Sequence, residues 1–424
     1  MHEDRIFARC ARRLIPFMVV LYMLAWLDRV NVGFAALTMN RDLGFSPTVF
    51  GLGAGIFFLG YFLFQVPANL FLAHIGARRW IGCIVMAWGA LSAAGALVQD
   101  PSTFFALRFL LGVAEAGFVP GMIFYLTLWF PHSYRARFTA GFMAAIPLSY
   151  VLGAPVSTLI LELDGMAGLH GWQWLFLIEG LPACALAFLV PTLMPNGPSE
   201  ARWLNEHEKA MITARLAHED AAKHSAVWPV LYDRRVLVLC LVSFGIGFGS
   251  AGITLWLPQI LQSKGYSNAS IGPLLAVLGL VGMTAMFAWG RSSDKRGERI
   301  WHVSLPLLVA SAGLVVASLP STAMISLIAL GCILVGLLAI DGPFFALPSS
   351  FLGGAAVAGG IALINSIGSL GAFLGPFVIG VLRDTTGGYA TGMIALAIAL
   401  IFAATAVLLL GCAMVARPPI QGEY

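Results

Sequence analysis

The sequence predicts an all-α membrane protein of about twelve transmembrane helices in two pseudo-symmetric six-helix halves. Three observations carry that expectation: an excess of apolar residues, apolar runs of spanning length at regular intervals, and positive charge gathered on alternate loops. Of 424 residues, 59% are hydrophobic and 10% are charged, whereas soluble domains stand nearer 45–50% and about 25%. Such a chain has too few polar groups to cover a water-facing surface, so lipid solvates most of it. A helix needs roughly 20 apolar residues to cross about 30 Å of hydrocarbon. The runs do not alternate with period two, which excludes a membrane β-barrel.

Taken in order, the spans fall near residues 14–36, 49–73, 80–98, 103–130, 138–161, 174–194, 235–262, 268–290, 302–319, 322–346, 354–381 and 389–413. The basic start before Leu14 mimics a signal peptide. No small-residue cleavage site follows it, however, and the run holds Asp28-Arg29, so it reads as the first span. The longest polar stretch, 195–234, opens with Pro195, Gly197 and Pro198 and continues as a charged, helix-forming segment. It links a first half, 1–194, to a second, 235–424. Nineteen of the 24 Lys and Arg residues fall in loops on one side and only Arg41, Lys264 and Arg383 on the other. That asymmetry places both termini and the linker in the cytoplasm.

The halves echo each other. NLFLAHIGARR after the second span aligns with GRSSDKRGER after the eighth, Gly76 upon Gly297. Gly153-Ala154-Pro155 likewise matches Leu374-Gly375-Pro376. Repeats of this kind build a midplane site between two halves.

Ionisable residues at membrane depth cost at least ~2.5–3.5 kcal/mol and point to function. Six lie in the spans: Asp28, Arg29, Arg108, Glu115, Glu179 and Asp341. Asp28 and Arg29 diverge by about 100° on their helix, so they do not simply pair with each other. Tyr22, Trp26, Arg29 and Gly33 share one face, and an arginine among aromatics suits a carboxylate. The competing reading is a salt bridge that only holds the bundle. Arg108 and Glu115 share a face of the fourth span, where Gly112 and Gly117 allow close helix approach or a cavity. Movement of an arginine relative to Glu115 would change that acid's proton affinity. For Arg108, snorkelling to the interface is the alternative. Glu179 reads as a cap or structural pair, and Asp341 precedes a Gly342-Pro343 break.

The charges sit in short clusters between apolar runs, which argues against nucleic acid as a partner. Six scattered cysteines form no C-x-x-C pair, and the histidines lie in loops or at span ends without metal-ligand spacing. Gly51, Gly53 and Gly55 lie in an apolar helix, where glycines pack rather than cradle phosphate, and no Walker-type lysine loop is present. No cofactor, metal or ATP is expected, and no enzyme.

LDRVNVGFA, PANLFLAHIGARRWIG, RFLLGVAEAGFVPGM, GWQWLFLIEGLPA and FFALPSSFLGGAAVAGGIALINSIGSLGAFLGP occur in that order. With them the chain resembles the anion:cation symporters of the major facilitator superfamily. More narrowly it resembles the bacterial phthalate, tartrate and hydroxyphenylacetate permeases. The resemblance covers nearly the whole chain. It implies the major facilitator fold, a monomer in the inner membrane, and proton-driven uptake of a small organic carboxylate. It also implies that Asp28 and Glu115 couple protons and that Arg29 and Arg108 handle the carboxylate. Tyr61 and Asn365 would line the cavity, and the loop holding Arg291, Asp294 and Arg299 would gate the second half. The first-half copy departs, with Asn69 and Ala73 where Gly and Asp usually stand.

From the residues themselves, Trp26, Tyr61, Phe64 and Trp256, with Ile146 near the centre, either wall a cavity for an acid with an apolar or aromatic body or pack the bundle. The expected cycle has Asp28 and Glu115 load protons while Arg29 and Arg108, facing a shared wet cavity, take the anion. The runner-up is a proton-driven antiporter or exporter on the same fold, disfavoured by the missing Gly-Pro-Gly-Gly extension in the fifth span. A membrane-embedded enzyme or sensor ranks last.

Overall fold

A computed structural model describes residues 2–220, 232–352 and 355–416. Among them, eleven helices are long and apolar enough to cross a membrane. The chain begins with α1 (His2–Asp42), α2 (Pro47–Ile75) and α3 (Ala77–Ala94). The basic start is therefore the first part of α1 itself. Ser46 caps α2 by accepting from the Val49 amide, and Gly76, at φ 85°, turns the chain between α2 and α3 in a conformation that a side chain would oppose.

The fourth span is broken into α4 (Pro101–Glu115) and α5 (Phe118–Thr127). Pro120 supplies no N–H to the Ala116 carbonyl, so the helix resets just after Glu115. The fifth span is α6 (His132–Met143), α7 (Ala145–Leu148), a π turn at Ser149–Gly153 and α8 (Ala154–Leu161). There Pro155 removes another donor, and the Ser149 hydroxyl donates back to the Ala145 carbonyl at 2.8 Å. The expected sixth span is α9 (Gly171–Ala187), only 17 residues long, followed by α10 (Val190–Leu193). The polar linker carries the expected helix, α11 (Glu206–Asp220).

Then come α12 (Arg234–Ser263), α13 (Asn268–Arg296), α14 (Ile300–Ser318), α15 (Ala323–Ala339), α16 (Asp341–Ala346), α17 (Ala355–Thr386) and α18 (Ala390–Ala416). Asp341 stands at the change of axis between α15 and α16. Two compact units result. The first is formed by the described part of Met1–Lys223 with Leu257–Ala276, the second by that of His224–Trp256 with Val277–Tyr424. The end of α12 and the start of α13 thus belong to the first unit, where Asn40 donates to Gln259 at 3.3 Å and Gln262 to the Leu37 carbonyl at 3.4 Å.

Close helix approach rests on glycine. A Cβ on Gly112 would collide with the Phe57 carbonyl, and one on Gly60 with the Phe109 carbonyl, so α2 and α4 meet backbone to backbone. In the second unit Gly371 and Gly375 lie equally close to the Phe244 and Phe248 carbonyls of α12. Near the matched prolines, Gly153 packs on the Leu27 side chain of α1 and Gly375 on the Phe248 backbone of α12.

The loops between the second and third helices of each unit are latched differently. In the second unit Arg299 pairs with Asp294 at 2.7 Å and donates to the Ser293 hydroxyl at 2.7 Å. In the first, where the loop lacks the acid, Arg78 pairs with Glu200 of the linker at 3.3 Å, and its backbone N–H donates to Asn196. The Asn196 side-chain amide and backbone N–H, with Arg78, hold the Glu200 carboxyl below the usual range.

Gly112→Val should abolish monodisperse protein in detergent size-exclusion chromatography. Gly290→Ala, where nothing lies within 4 Å of the added Cβ, should leave the profile unchanged. Because its folded value is depressed, the Glu200 latch is fully present above the ordinary glutamate value of about 4.3 and is lost as pH falls through the lower folded value. Amide protection factors at residues 76–80, which correct for the intrinsic pH dependence of exchange, should therefore stay high at pH 6 and fall only below about pH 4.

Candidate functional site

About two-thirds of the way along α1 the sequence WLDRVN sends two charges in different directions. Arg29 points to α4, where its Nε donates to Glu115 Oε2 at 2.7 Å. The glutamate is fully buried, while the arginine side chain keeps 12% of its exposure. Three rings surround the guanidinium, with centroids 5.8 Å away for Trp26, 5.5 Å for Phe57 and 5.0 Å for Tyr61. Trp26 lies one turn before Arg29, and Phe57 and Tyr61 are one turn apart on α2. The Nη2 atom is buried without a hydrogen-bond partner, as is Oε1 of Glu115. A planar guanidinium in such a cage gains from the ring faces, and being more weakly hydrated than an ammonium it gives up less on burial.

Arg108, two turns before Glu115 on α4, donates through Nη1 to the Asp28 carbonyl at 3.2 Å and through Nη2 to the Arg29 carbonyl at 3.5 Å. It lies 5.1 Å from the Phe57 ring and is only 4% exposed. It does not snorkel to an interface. It grips the backbone of α1 where Asp28 and Arg29 leave it.

Asp28 turns the other way, toward α3 and α9. Its Oδ1 accepts from the Ser92 hydroxyl in a very short hydrogen bond and from Asn31 Nδ2 at 3.3 Å. Glu179 of α9 is also buried and accepts from the Ser157 hydroxyl of α8 at 2.6 Å.

The structure thus brings Trp26, Asp28, Arg29, Tyr61, Arg108 and Glu115 together in the first unit. The arginines and Glu115 are engaged with one another or with backbone, not standing free in a cavity as the sequence suggested, because unpaired charge in a low-dielectric interior is too costly. Asn365, Asp294, Arg291 and Arg299 belong to the second unit. Asn365 is half-buried in α17, and its carbonyl accepts from Ser369. Phe64 is largely exposed and packs edge-on against Phe109. Trp256 is buried, with its indole N–H on the Pro376 carbonyl. Phe57, Ser92, Asn31 and Ser157 were not singled out. Only Asn31, one turn from Asp28, carried a sequence signal.

Removing the guanidinium with Arg29→Ala leaves Glu115 buried and unpaired, which should cost about 3–5 kcal/mol of stability. Arg29→Met with Glu115→Leu should recover most of that loss. Thermal unfolding in detergent compares the two.

The fold is thus a polytopic helical bundle around a buried, aromatic-caged ion pair. Residues 18–376 match the family model described as the Major Facilitator Superfamily, and the chain belongs to that family. It is 48% identical over 411 residues to an Agrobacterium vitis protein named "Putative tartrate transporter", spanning 96% of this chain and 95% of that one. It is 39% identical over 395 residues to the "Quinolone resistance transporter" of Acinetobacter baumannii, spanning 92% and 91%. The crystal structure of a bacterial homologue of the human lysosomal transporter Spinster superposes with a TM-score of 0.77 at 18% identity, covering 96% and 98%, which shows a shared fold. The protein is a multi-pass membrane transporter and not an enzyme.

Proposed function

We propose that this carrier imports a small organic carboxylate together with protons, by alternating access, as a monomer in a bacterial inner membrane with both termini in the cytoplasm. The observation that carries the reading is the Arg29–Glu115 pair. An arginine bonded through one edge to a buried carboxylate has a second edge for another. Protonation of Glu115 dissolves the ion pair, and the incoming anion's carboxylate takes its place on Arg29 between Trp26 and Tyr61. Proton and anion then bind with mutual reinforcement, since each removes an uncompensated charge that the other would create. Deprotonation on the cytoplasmic side restores the Arg29–Glu115 pair and expels the anion.

In this reading Arg108 acts as the clamp that fixes the α1 backbone, and its charge offsets Asp28, the second coupling acid. The Arg291, Asp294 and Arg299 loop would gate the second half, in which Asn365 would be a substrate contact. The name of the Agrobacterium relative supports a hydroxylated dicarboxylate, and the aromatic cage supports an acid with an apolar body.

A second reading, a proton-driven antiporter or exporter, is favoured by the name of the Acinetobacter relative. Liposomes separate the two. Symport requires an acid exterior to accelerate uptake of labelled tartrate or an aromatic acid, whereas antiport requires an acid interior. Glu115→Gln, a mimic of the protonated acid, should keep counterflow within a fewfold of wild type and lose gradient-driven accumulation by at least about tenfold. Loss of counterflow in folded Glu115→Gln protein would sink the coupling role.

A further inference from the structure

The second span ends at Leu72, the third begins at Ala77 and the fourth ends at Thr127. These boundaries meet at a recess of about 740 Å³, walled by the end of α2, the start of α3, the end of α5 with Leu128, and the linker. The recess therefore lies at the edge of the hydrocarbon layer, level with phospholipid headgroups. Trp80, whose ring stacks on that of Phe71 at 6.1 Å, is the amphipathic residue type that gathers at that level.

Its lining is of two kinds. Leu72, Ile75 and Phe124 supply apolar surface, and along the same helices Leu70, Phe71 and Ile123 are exposed, where acyl chains are the solvent. Arg78, Arg79, Asn196 and Glu200 supply the polar part. Apolar surface joined to arginines at the membrane edge matches the two ends of a phospholipid, the acyl chain and the phosphodiester.

The balance of charge selects among headgroups. Glu200 is already committed: it accepts from Arg78 Nη1 at 3.3 Å, from the Asn196 side-chain amide at 3.0 Å and from the Asn196 backbone N–H at 3.1 Å. Arg78 spends Nη1 on that acid and keeps its other edge. Arg79 is exposed, lines the recess and makes no ion pair or side-chain hydrogen bond among the described residues. Two arginines against one carboxylate leave one positive charge over. A zwitterionic headgroup brings an ammonium for which the lining holds no uncommitted carboxylate. An acidic headgroup brings only the negative charge that matches, in the bidentate geometry a guanidinium favours.

We propose that this recess is a binding site for one acidic phospholipid of the adjoining leaflet. Its phosphodiester rests on Arg79 and the unspent edge of Arg78, and an acyl chain lies along Leu72, Ile75 and Phe124. The bound lipid ties the turn at Gly76 to the membrane surface beside the Arg78–Glu200 latch, and by binding the folded chain it stabilises that turn. The site is independent of the transported anion and of the coupling ion.

The test is native mass spectrometry of the full-length protein released from detergent that carries phosphatidylglycerol, phosphatidylethanolamine or phosphatidylcholine at equal concentration. One phosphatidylglycerol should be retained per chain, preferred over either zwitterionic lipid by about fivefold, the contribution of one basic residue at an anionic surface. Arg79→Gln should lose that preference. Phe124→Ser should lower retention of phosphatidylglycerol while the preference persists. Arg202→Gln, at an exposed arginine outside the lining, should match wild type. Equal retention of the three lipids by wild type, or a preference that survives in Arg79→Gln, would overturn the assignment and leave a recess that any lipid fills. Inorganic phosphate that displaces the lipid at equal concentration would make this a site for soluble anions and would overturn it as well.

Discussion

A guanidinium and a carboxylate 2.7 Å apart in the hydrocarbon-spanning part of the bundle constrain nearly everything around them. Either group alone would carry an unpaired charge at membrane depth, and together they still lack the hydration they give up on burial. The fold answers with three aromatic faces around Arg29 and with an arginine that binds backbone carbonyls beside it. That arrangement demands that α1, α2 and α4 lie very close. Closeness is what Gly60 and Gly112 supply, since neither position has room for a Cβ. The helix reset after Glu115, forced by Pro120, then leaves the acid at the end of α4 and not inside an unbroken ladder. An ion pair, a packing rule and a proline are in this sense one device.

Much of this was legible in the amino-acid chain because membranes make polar residues expensive. Asp28, Arg29, Arg108 and Glu115 stood out as charges inside apolar runs, and the structure gathers all four. What the sequence did not show was pairing. Whether Arg29 meets Asp28 or Glu115 depends on how the helices rotate about their axes, and the 100° step between neighbours only excludes the first option in part. The sequence offers Arg108 as a ligand for the anion or as a snorkelling side chain, and in the structure its guanidinium donates to the carbonyls of α1. Phe57, Ser92 and Ser157 carried no signal, being ordinary residue types in apolar helices. The apolar run of the expected sixth span is helical, but its helix ends at Ala187, shortly before Pro191, and is too short to count among the eleven of spanning length.

The internal repeat also reads differently in three dimensions. At the sequence level the first-half loop looked defective for want of an acid. The structure supplies that acid from elsewhere: Glu200, beyond the sixth span, pairs with Arg78 where Asp294 pairs with Arg299 within its own loop. One half is closed by itself and the other by the linker. The physical requirement, a carboxylate beside a basic turn, is kept, while the residue that meets it has moved some 120 positions along the chain.

Helix α1 runs unbroken for 41 residues, about 60 Å at 1.5 Å per residue, twice the hydrocarbon thickness. Its first turns are moored to the linker helix, Arg9 to Glu208 at 3.0 Å and Glu3 to Arg215 at 3.7 Å, and to the start of α6, Asp4 to the Tyr134 hydroxyl at 2.6 Å. The residue that holds Glu115 therefore stands about two-thirds of the way along one continuous helix whose first turns are tied to the linker. Motion of Arg29 at the membrane centre is carried by that helix toward α11, with Pro16 between them as the place where the axis can bend.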